Sequence, residues 1–168
     1  MTGLNQGTLV LVMGVAGSGK TLIGTMLAES LGWRFADADA FHPAANLQKM
    51  SQGIQLTDTD REPWLATMQQ KIAEWLTADE NVVLACSALK ECYREQLARA
   101  GELKVVYLKG DFDLIYERLE KRRDHFMRPE MLASQFADLE EPQQAIVVNI
   151  RLTPQRIISE LRRQLGYP

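Results

Sequence analysis

The chain has 168 residues, a length that predicts one domain, 1–168, with a single core. Hydrophobic residues make up 46% and charged residues 24%, which excludes a disordered or fibrous protein. The formal charge is −3 and the basic residues are scattered along the chain, so we expect neither nucleic acid nor a membrane as a partner. No apolar run approaches the roughly 20 residues of a membrane span. The two cysteines show neither CxxC spacing nor a disulfide framework, so we expect reduced thiols and a cytoplasmic location.

The predicted strands and helices alternate along the chain. Apolar runs predict five strands, at 9–13, 33–36, 82–86, 105–108 and 145–150. Helical periodicity predicts six helices, at 20–31, 61–77, 90–100, 113–123, 129–139 and 154–165. This alternation predicts βαβ crossovers. The fold class is therefore α/β with three layers, a mainly parallel sheet of about five strands between helices.

A phosphate-binding loop follows the first strand directly. Its sequence GVAGSGKT matches GxxxxGK[ST] and opens into an amphipathic helix. Glycines let backbone N–H groups wrap around phosphates, and the start of a helix adds positive charge. We expect Lys20 to reach the β- and γ-phosphates and the Thr21 hydroxyl to bind Mg²⁺, and ATP is favoured over GTP because no NKxD-type segment occurs. The predicted nucleotide-binding residues of the loop are Gly14, Val15, Ala16, Gly17, Ser18, Gly19, Lys20 and Thr21.

Two carboxylates, Asp37 and Asp39, come at the expected carboxyl end of the second strand. If the chain is still extended there, both side chains face the same way. We assign Asp39 as the base that accepts a hydroxyl proton from the acceptor and Asp37 to the metal side. The alternative is that either aspartate caps the following helix. The segment 37–64 is predicted to be a substrate-binding insertion.

Four further polar residues are candidates for the acceptor site, each with a structural alternative. His42 is predicted to hydrogen-bond a substrate hydroxyl or to be an exposed cap. Arg61 lies near a helix start, where the dipole disfavours a cation, so it indicates a carboxylate ligand or a salt bridge with a nearby aspartate. Lys90 and Arg94, at i and i+4, indicate an anion between them or a solvated helix face relieved by glutamates.

A basic segment, 118–128, leads into a second irregular stretch. It is predicted to open a mobile lid, 122–142, that closes over ATP and excludes water. Arg118 is expected to stack on adenine, and Arg122 to contact phosphate and stabilise its transfer. The alternative is an exposed basic helix end, where cations suit the dipole.

Beyond the phosphate loop, two motifs are specific, DADAFHPAANLQKMSQGIQLTDTDREPWL and HFMRPEMLASQFADLEEP. With them the chain resembles, over 9–165, the gluconate kinases of the P-loop family, which are similar to shikimate and nucleoside-monophosphate kinases. The resemblance implies ATP-dependent phosphorylation of the 6-hydroxyl of D-gluconate, giving 6-phosphogluconate, by a cytoplasmic enzyme that is often a homodimer. It also implies acceptor-site residues, namely Asp39, His42, Arg61, Lys90, Arg94, His125 and Gln135.

Two other functions remain open from the sequence. A kinase for another small hydroxy acid, such as shikimate, is disfavoured by the HFM…SQF and DREPWL segments. A non-catalytic, nucleotide-dependent switch is disfavoured by the density of motifs on the acceptor side. Such a switch would bind nucleotide, but no acceptor would stimulate its turnover.

Overall fold

The computed structural model describes residues 6–122 and 129–168. Its centre is a parallel sheet of five strands in the order β2-β3-β1-β4-β5. The strands are β1 (Leu9–Met13), β2 (Arg34–Asp37), β3 (Val82–Ala85), β4 (Leu103–Lys109) and β5 (Ile146–Asn149). The first strand in the chain is thus the central one, and the next strand lies at one edge. The carboxyl ends of all the strands meet at one edge of the sheet, where parallel α/β folds bind their ligands.

Seven α-helices are described, together with a short 3-10 helix at Ala38–Phe41. None of these helices is both long and apolar enough to cross a membrane. The predicted α/β class, with a parallel five-stranded sheet and helices on both of its faces, is confirmed. The helices are α1 (Lys20–Leu31), α2 (Ala44–Ser51), α3 (Asp58–Thr77), α4 (Glu91–Ala98), α5 (Phe112–Lys121), α6 (Pro129–Asp138) and α7 (Pro154–Leu165).

Strand β1 separates two hydrophobic clusters because its side chains alternate between the faces of the sheet. Val10 and Val12 pack into one cluster with residues of α1, α5, α6 and α7. Leu9, Leu11 and Met13 pack into the other, with residues of α3 and α4. All five side chains are fully buried, which explains the uninterrupted apolar run in the sequence.

The segment between β2 and α3 contains a helix, α2, that the sequence did not predict. Only Asn46 of its eight residues is buried, so α2 lacks the apolar stripe by which helices are recognised. Helix α3 begins at Asp58, three residues before the predicted start. The Thr57 side chain accepts from the Asp60 N–H, and the Asp60 carboxylate accepts from the Thr57 N–H. This capping box sets the position of the first turn of α3, which carries Arg61.

Replacing Thr57 by alanine is expected to lower the free energy of unfolding by about 1 kcal/mol, because one partner of the capping box is lost. Urea denaturation followed by circular dichroism measures this change. Thr77→Ala, at the exposed far end of the same helix, serves as the matched control and is expected to have a smaller effect. Equal stabilities for the two variants would show that the box contributes nothing.

Candidate active site

The phosphate loop connects β1 to α1 with backbone conformations that favour glycine. Gly17 and Gly19 have φ of +80° and +97°, in the left-handed region. A Cβ on Gly17 would approach the Leu119 side chain to 2.9 Å, whereas one on Gly19 would meet nothing within 4 Å. The Ser18 Oγ is buried and, within the described ranges, has no hydrogen-bond partner. The loop therefore forms an open cradle with an unpaired hydroxyl at its base.

The start of α1 is electrically suited to an anion. No side chain caps the helix, and its first turn holds no acidic residue. The first N–H groups of a helix have no partner within it, so they carry the positive end of the helix dipole. Phosphate groups bind such helix starts in many proteins.

Lys20 lies across this loop. Its Nζ donates to the backbone oxygens of Gly14 and Val15, both at 3.0 Å. Burial lowers the pKa of the ammonium group, and the nearby Asp39 carboxylate opposes that change. The contacts hold the positive charge at the phosphate cradle.

A cavity of about 560 Å³ lies in front of the loop. Side chains from β2, α3, the end of α5 and α6 line this cavity together with the phosphate loop. Among the predicted site residues it is lined by Ala16, Gly17, Gly19, Lys20, Thr21, Asp37, Asp39, His42, Arg61, Arg122 and Gln135. The predicted residues outside that lining are Gly14, Val15, Ser18, Lys90, Arg94 and Arg118. His125 lies outside the described residues.

Asp37 links β2 to the phosphate loop. Its Oδ2 accepts from the Thr21 hydroxyl at 3.4 Å, and its Oδ1 accepts from the Asp39 N–H at 2.9 Å. The second contact caps the short 3-10 helix, so the capping role considered for this residue does occur. Two oxygen ligands of the kind that Mg²⁺ prefers, a hydroxyl and a carboxylate, thus face each other beside the cradle.

Asp39 extends into the cavity. Its side chain is 66% exposed because the cavity is open, yet protein atoms surround the carboxyl group on its other sides. This partial loss of hydration raises the pKa of Asp39, the Asp37 charge raises it further, and Lys20 opposes both. A carboxylate in such surroundings is a better proton acceptor than an ordinary aspartate.

His42 is a buried ring beside Asp39. It stacks on Trp64 with ring centroids 4.4 Å apart, and only 5% of its side chain is exposed. Its Nε2 lies 3.8 Å from the Asp39 Oδ1. Burial and the nearby Arg61 lower the pKa of His42 to about 4, so the ring is neutral at pH 7. The exposed position considered from the sequence is wrong, although His42 does form the C-cap of the 3-10 helix.

Arg61 and Lys90 contact the same carboxylate. Lys90 Nζ donates to the Asp58 Oδ1 at 3.0 Å, and Arg61 Nη1 lies 3.6 Å from that atom. Tyr93 joins them, since its hydroxyl donates to Asp58 and accepts from Arg61. The salt bridge considered for Arg61 is therefore present, although Arg61 also lines the cavity.

The shared face expected for Lys90 and Arg94 is wrong. Lys90 is the N-cap of α4 and has an extended backbone, so the i, i+4 geometry of a helix does not apply. Arg94, unlike Lys90, is buried. Its guanidinium donates to the backbone oxygens of Ala88, Leu89 and Glu140. Arg94 thus joins the loop after β3 to the segment after α6.

Two contacts connect α5 and α6 to the rest of the site. Arg118 donates to the Ile150 oxygen at 2.7 Å and so holds the loop after β5. On α6, the Gln135 side-chain oxygen accepts from the Ala16 N–H at 2.7 Å. The second bond attaches the predicted lid region directly to the phosphate loop.

Three residues that the sequence did not single out complete the site. Trp64 stacks on His42 and donates from Nε1 to the Ala38 oxygen at 2.8 Å. Tyr93 bridges Arg61 and Asp58, and Asn46 hydrogen-bonds His42. None of the three carried a clear signal in the sequence, since the helix that holds Asn46 was itself not predicted.

A phosphate loop on the central strand, acidic residues at the end of a nearby strand and a helix that touches the loop define a P-loop kinase. The family model described as shikimate kinase matches residues 16–162. A probable gluconokinase of Mus musculus is 47% identical over 152 residues, which are 80% of this chain and 83% of that protein.

Two solved structures are similar over almost the whole chain. A sugar kinase of Janibacter sp. HTCC2649 has a TM-score of 0.90 at 39% identity, covering 96% of this chain and 95% of that one. A gluconokinase of Sinorhizobium meliloti 1021 has a TM-score of 0.81 at 39% identity, covering 96% and 97%. The chain belongs to the gluconokinase family of P-loop kinases.

Replacing Arg94 by methionine is expected to lower the free energy of unfolding by about 3 kcal/mol, because three carbonyls lose their buried donor. Urea denaturation measures the loss. Arg99→Met, at the exposed end of the same helix, is the control and is expected to change it by less than about 0.5 kcal/mol. Unchanged stability of the Arg94 variant with a raised KM for the acceptor would instead assign Arg94 to the substrate.

Proposed function

We propose that the chain transfers the γ-phosphoryl group of ATP to the 6-hydroxyl of D-gluconate, giving 6-phosphogluconate and ADP. The observation that carries the proposal is that the phosphate loop with Lys20 lines the same cavity as Asp39 and His42. The family membership of the chain supports the same reaction. The Mus musculus relative is named a probable gluconokinase, and the similar structure from Sinorhizobium meliloti is that of a gluconokinase.

The nucleotide side is formed by the phosphate loop and two arginines. Backbone N–H groups of 14–21, apart from the Ala16 N–H that donates to Gln135, face the phosphates, and Lys20 neutralises charge on the β- and γ-phosphates. Arg122 lines the cavity and faces the transferring group, where a cation stabilises the developing charge. Arg118 is proposed to stack on the adenine, next to the loop after β5 to which its guanidinium donates.

Thr21 and Asp37 are the proposed Mg²⁺ residues. Their oxygens, 3.4 Å apart, suit an ion that prefers oxygen ligands and keeps several waters of its own. When bound, Mg²⁺ supplies charge neutralisation at the phosphates. The chain's own contribution is to hold the Thr21 hydroxyl and the Asp37 carboxylate beside the phosphate cradle.

The acceptor side matches the chemistry of a sugar acid. Asp39 takes the proton of the attacking hydroxyl, and His42 and Gln135 hydrogen-bond further oxygens of the substrate. Arg61, which lines the cavity, provides positive charge for the carboxylate of the substrate, with Lys90 as its neighbour across Asp58. Transfer then depends mainly on placing the hydroxyl in line with the γ-phosphate.

The proposed organisation is one domain, 1–168, with a substrate-binding insertion at 37–64 and a lid at 122–142. Support for the lid comes from the bond between Gln135 and Ala16, through which α6 approaches the phosphate loop. His125 is proposed as a lid residue that contacts the sugar acid. Closure of such a lid would exclude water from the transfer.

A cytoplasmic homodimer is the proposed state of the enzyme. Free thiols at Cys86 and Cys92 suit a reducing compartment, and ATP is available there. The dimer is supported by the resemblance to gluconate kinases. Size-exclusion chromatography with light scattering measures it, and a mass of one chain would contradict it.

The substrate is tested by ADP release with Mg-ATP against D-gluconate, shikimate, glycerate, glucose and a nucleoside monophosphate. Stimulation by D-gluconate far above the other compounds is expected. Lys20→Ala, purified in the same way, is the control and should remove the activity. Equal activity in the control would reveal a contaminating kinase, and stimulation by shikimate alone would favour the other small hydroxy acids.

Replacing Asp39 by asparagine is expected to lower kcat by a factor of about 10² to 10⁴, because the proton acceptor is lost, while ATP affinity stays near that of the wild type. Glu62→Gln, an exposed carboxylate on α3, is the control.

In the wild type, activity should fall as the pH falls through the raised pKa of Asp39, since only the ionised form accepts the proton. Near-normal turnover of the Asp39 variant would remove it as the base.

A further inference from the structure

Asn46 is the one buried residue of α2, with 4% of its surface exposed. Its side-chain nitrogen contacts two groups, the Asp60 backbone oxygen at 2.9 Å and the His42 Nδ1 at 3.2 Å. The NH₂ group of this buried amide can donate one hydrogen to each of the two contacts. One contact ties α2 to α3, and the other faces the ring beside Asp39.

The contact with Asp60 determines which end of the amide faces His42. A backbone carbonyl only accepts hydrogen bonds, so the group opposite the Asp60 oxygen must be the NH₂ of Asn46. The same NH₂ then donates its second hydrogen to the His42 Nδ1. An Nδ1 that accepts carries no proton, and a neutral ring must then carry its proton on Nε2.

His42 and Asp39 both line the cavity, and the Nε2 of His42 lies on the side of the ring next to Asp39. It lies 3.8 Å from the Asp39 Oδ1, and the stack on Trp64 fixes the plane of the ring. An N–H at this position attracts a carboxylate or hydroxyl oxygen. The other tautomer would direct a lone pair at the Asp39 carboxylate, which is repulsive, and would leave no donor for the acceptor.

We propose that Asn46 is a positioning residue that holds His42 as the Nε2–H tautomer, so that the ring presents a neutral N–H donor to Asp39 and the acceptor hydroxyls. The part that concerns the acceptor rests on the proposed function. The donor keeps Asp39 oriented and remains uncharged, so it does not form an ion pair with the carboxylate that must take the proton.

The tautomer is read directly by long-range ¹H–¹⁵N correlation NMR of the imidazole rings at pH 7, without substrate. The chain has two histidines, and His125→Gln assigns the remaining signals to His42. We expect a neutral ring with a protonated Nε2 and an unprotonated Nδ1. A ring protonated on Nδ1, or an imidazolium, in the wild type would overturn the proposal.

Two variants remove the donor in different ways. Asn46→Ala leaves Nδ1 free, so the fraction of Nδ1–H should rise. Asn46→Asp keeps the shape and offers only acceptor oxygens, so it should favour Nδ1–H and raise the pKa of His42 from its wild-type value of about 4. The ring also faces Arg61, Asp37 and Asp39, which are unchanged in both variants. An unaltered tautomer in both folded variants would overturn the proposal.

Lys49→Gln is the matched control for loss of the tie between α2 and α3. Lys49 Nζ donates to both carboxylate oxygens of Asp60, at 3.0 and 2.9 Å, and does not contact His42. This variant should keep the Nε2–H tautomer. If it changes the tautomer as much as the Asn46 variants do, packing of α2, rather than the donor, controls the ring, and the proposal fails.

Kinetics then separates this proposal from the proposed function. With D-gluconate, Asn46→Ala should lower kcat/KM at least about tenfold, and Lys49→Gln by no more than about threefold. If the wild type does not phosphorylate D-gluconate, the proposed function fails while the NMR result still decides the tautomer. Full activity of Asn46→Ala with an altered tautomer would overturn the role of the N–H donor.

Discussion

Burial of strand β1 is the constraint on which the rest of the site depends. The strand pairs with β3 on one side and β4 on the other, and its side chains enter both hydrophobic clusters. A shift by one residue would exchange the residues that face each cluster, so the register is strongly held. The phosphate loop starts where this strand ends. Because β2 pairs in parallel with β3, Asp37 comes to the same edge, within reach of Thr21.

Lys20 and Asp39 carry opposite charges in the cavity at that edge, and both lose hydration there. Loss of water lowers the pKa of Lys20 and raises that of Asp39, which means that each group is less stable in its charged form. The attraction between them opposes both changes. A phosphate entering beside Lys20 and a hydroxyl entering beside Asp39 each meet a group whose hydration has already been reduced, which strengthens electrostatic contacts.

The sequence predicts those parts of the molecule whose signals are local. Apolar runs mark the strands, and fixed spacing marks the phosphate loop together with Lys20 and Thr21. The helix α2 was missed because its one buried residue, Asn46, is polar. Arg94 was placed on the wrong side because its carbonyl partners include Glu140, far along the chain. Tertiary contacts of this kind have no periodic signal in the sequence.

The central claim is that phosphate moves from ATP to the primary hydroxyl of gluconate within this cavity. It is tested most directly by proton-coupled ³¹P NMR of the product made from Mg-ATP and D-gluconate. The terminal CH₂ carries two protons next to the new ester, so a phosphomonoester triplet is expected as the ATP signals decline. A doublet would place the phosphate on a secondary hydroxyl, and inorganic phosphate alone would mean hydrolysis without transfer; either result would contradict the claim.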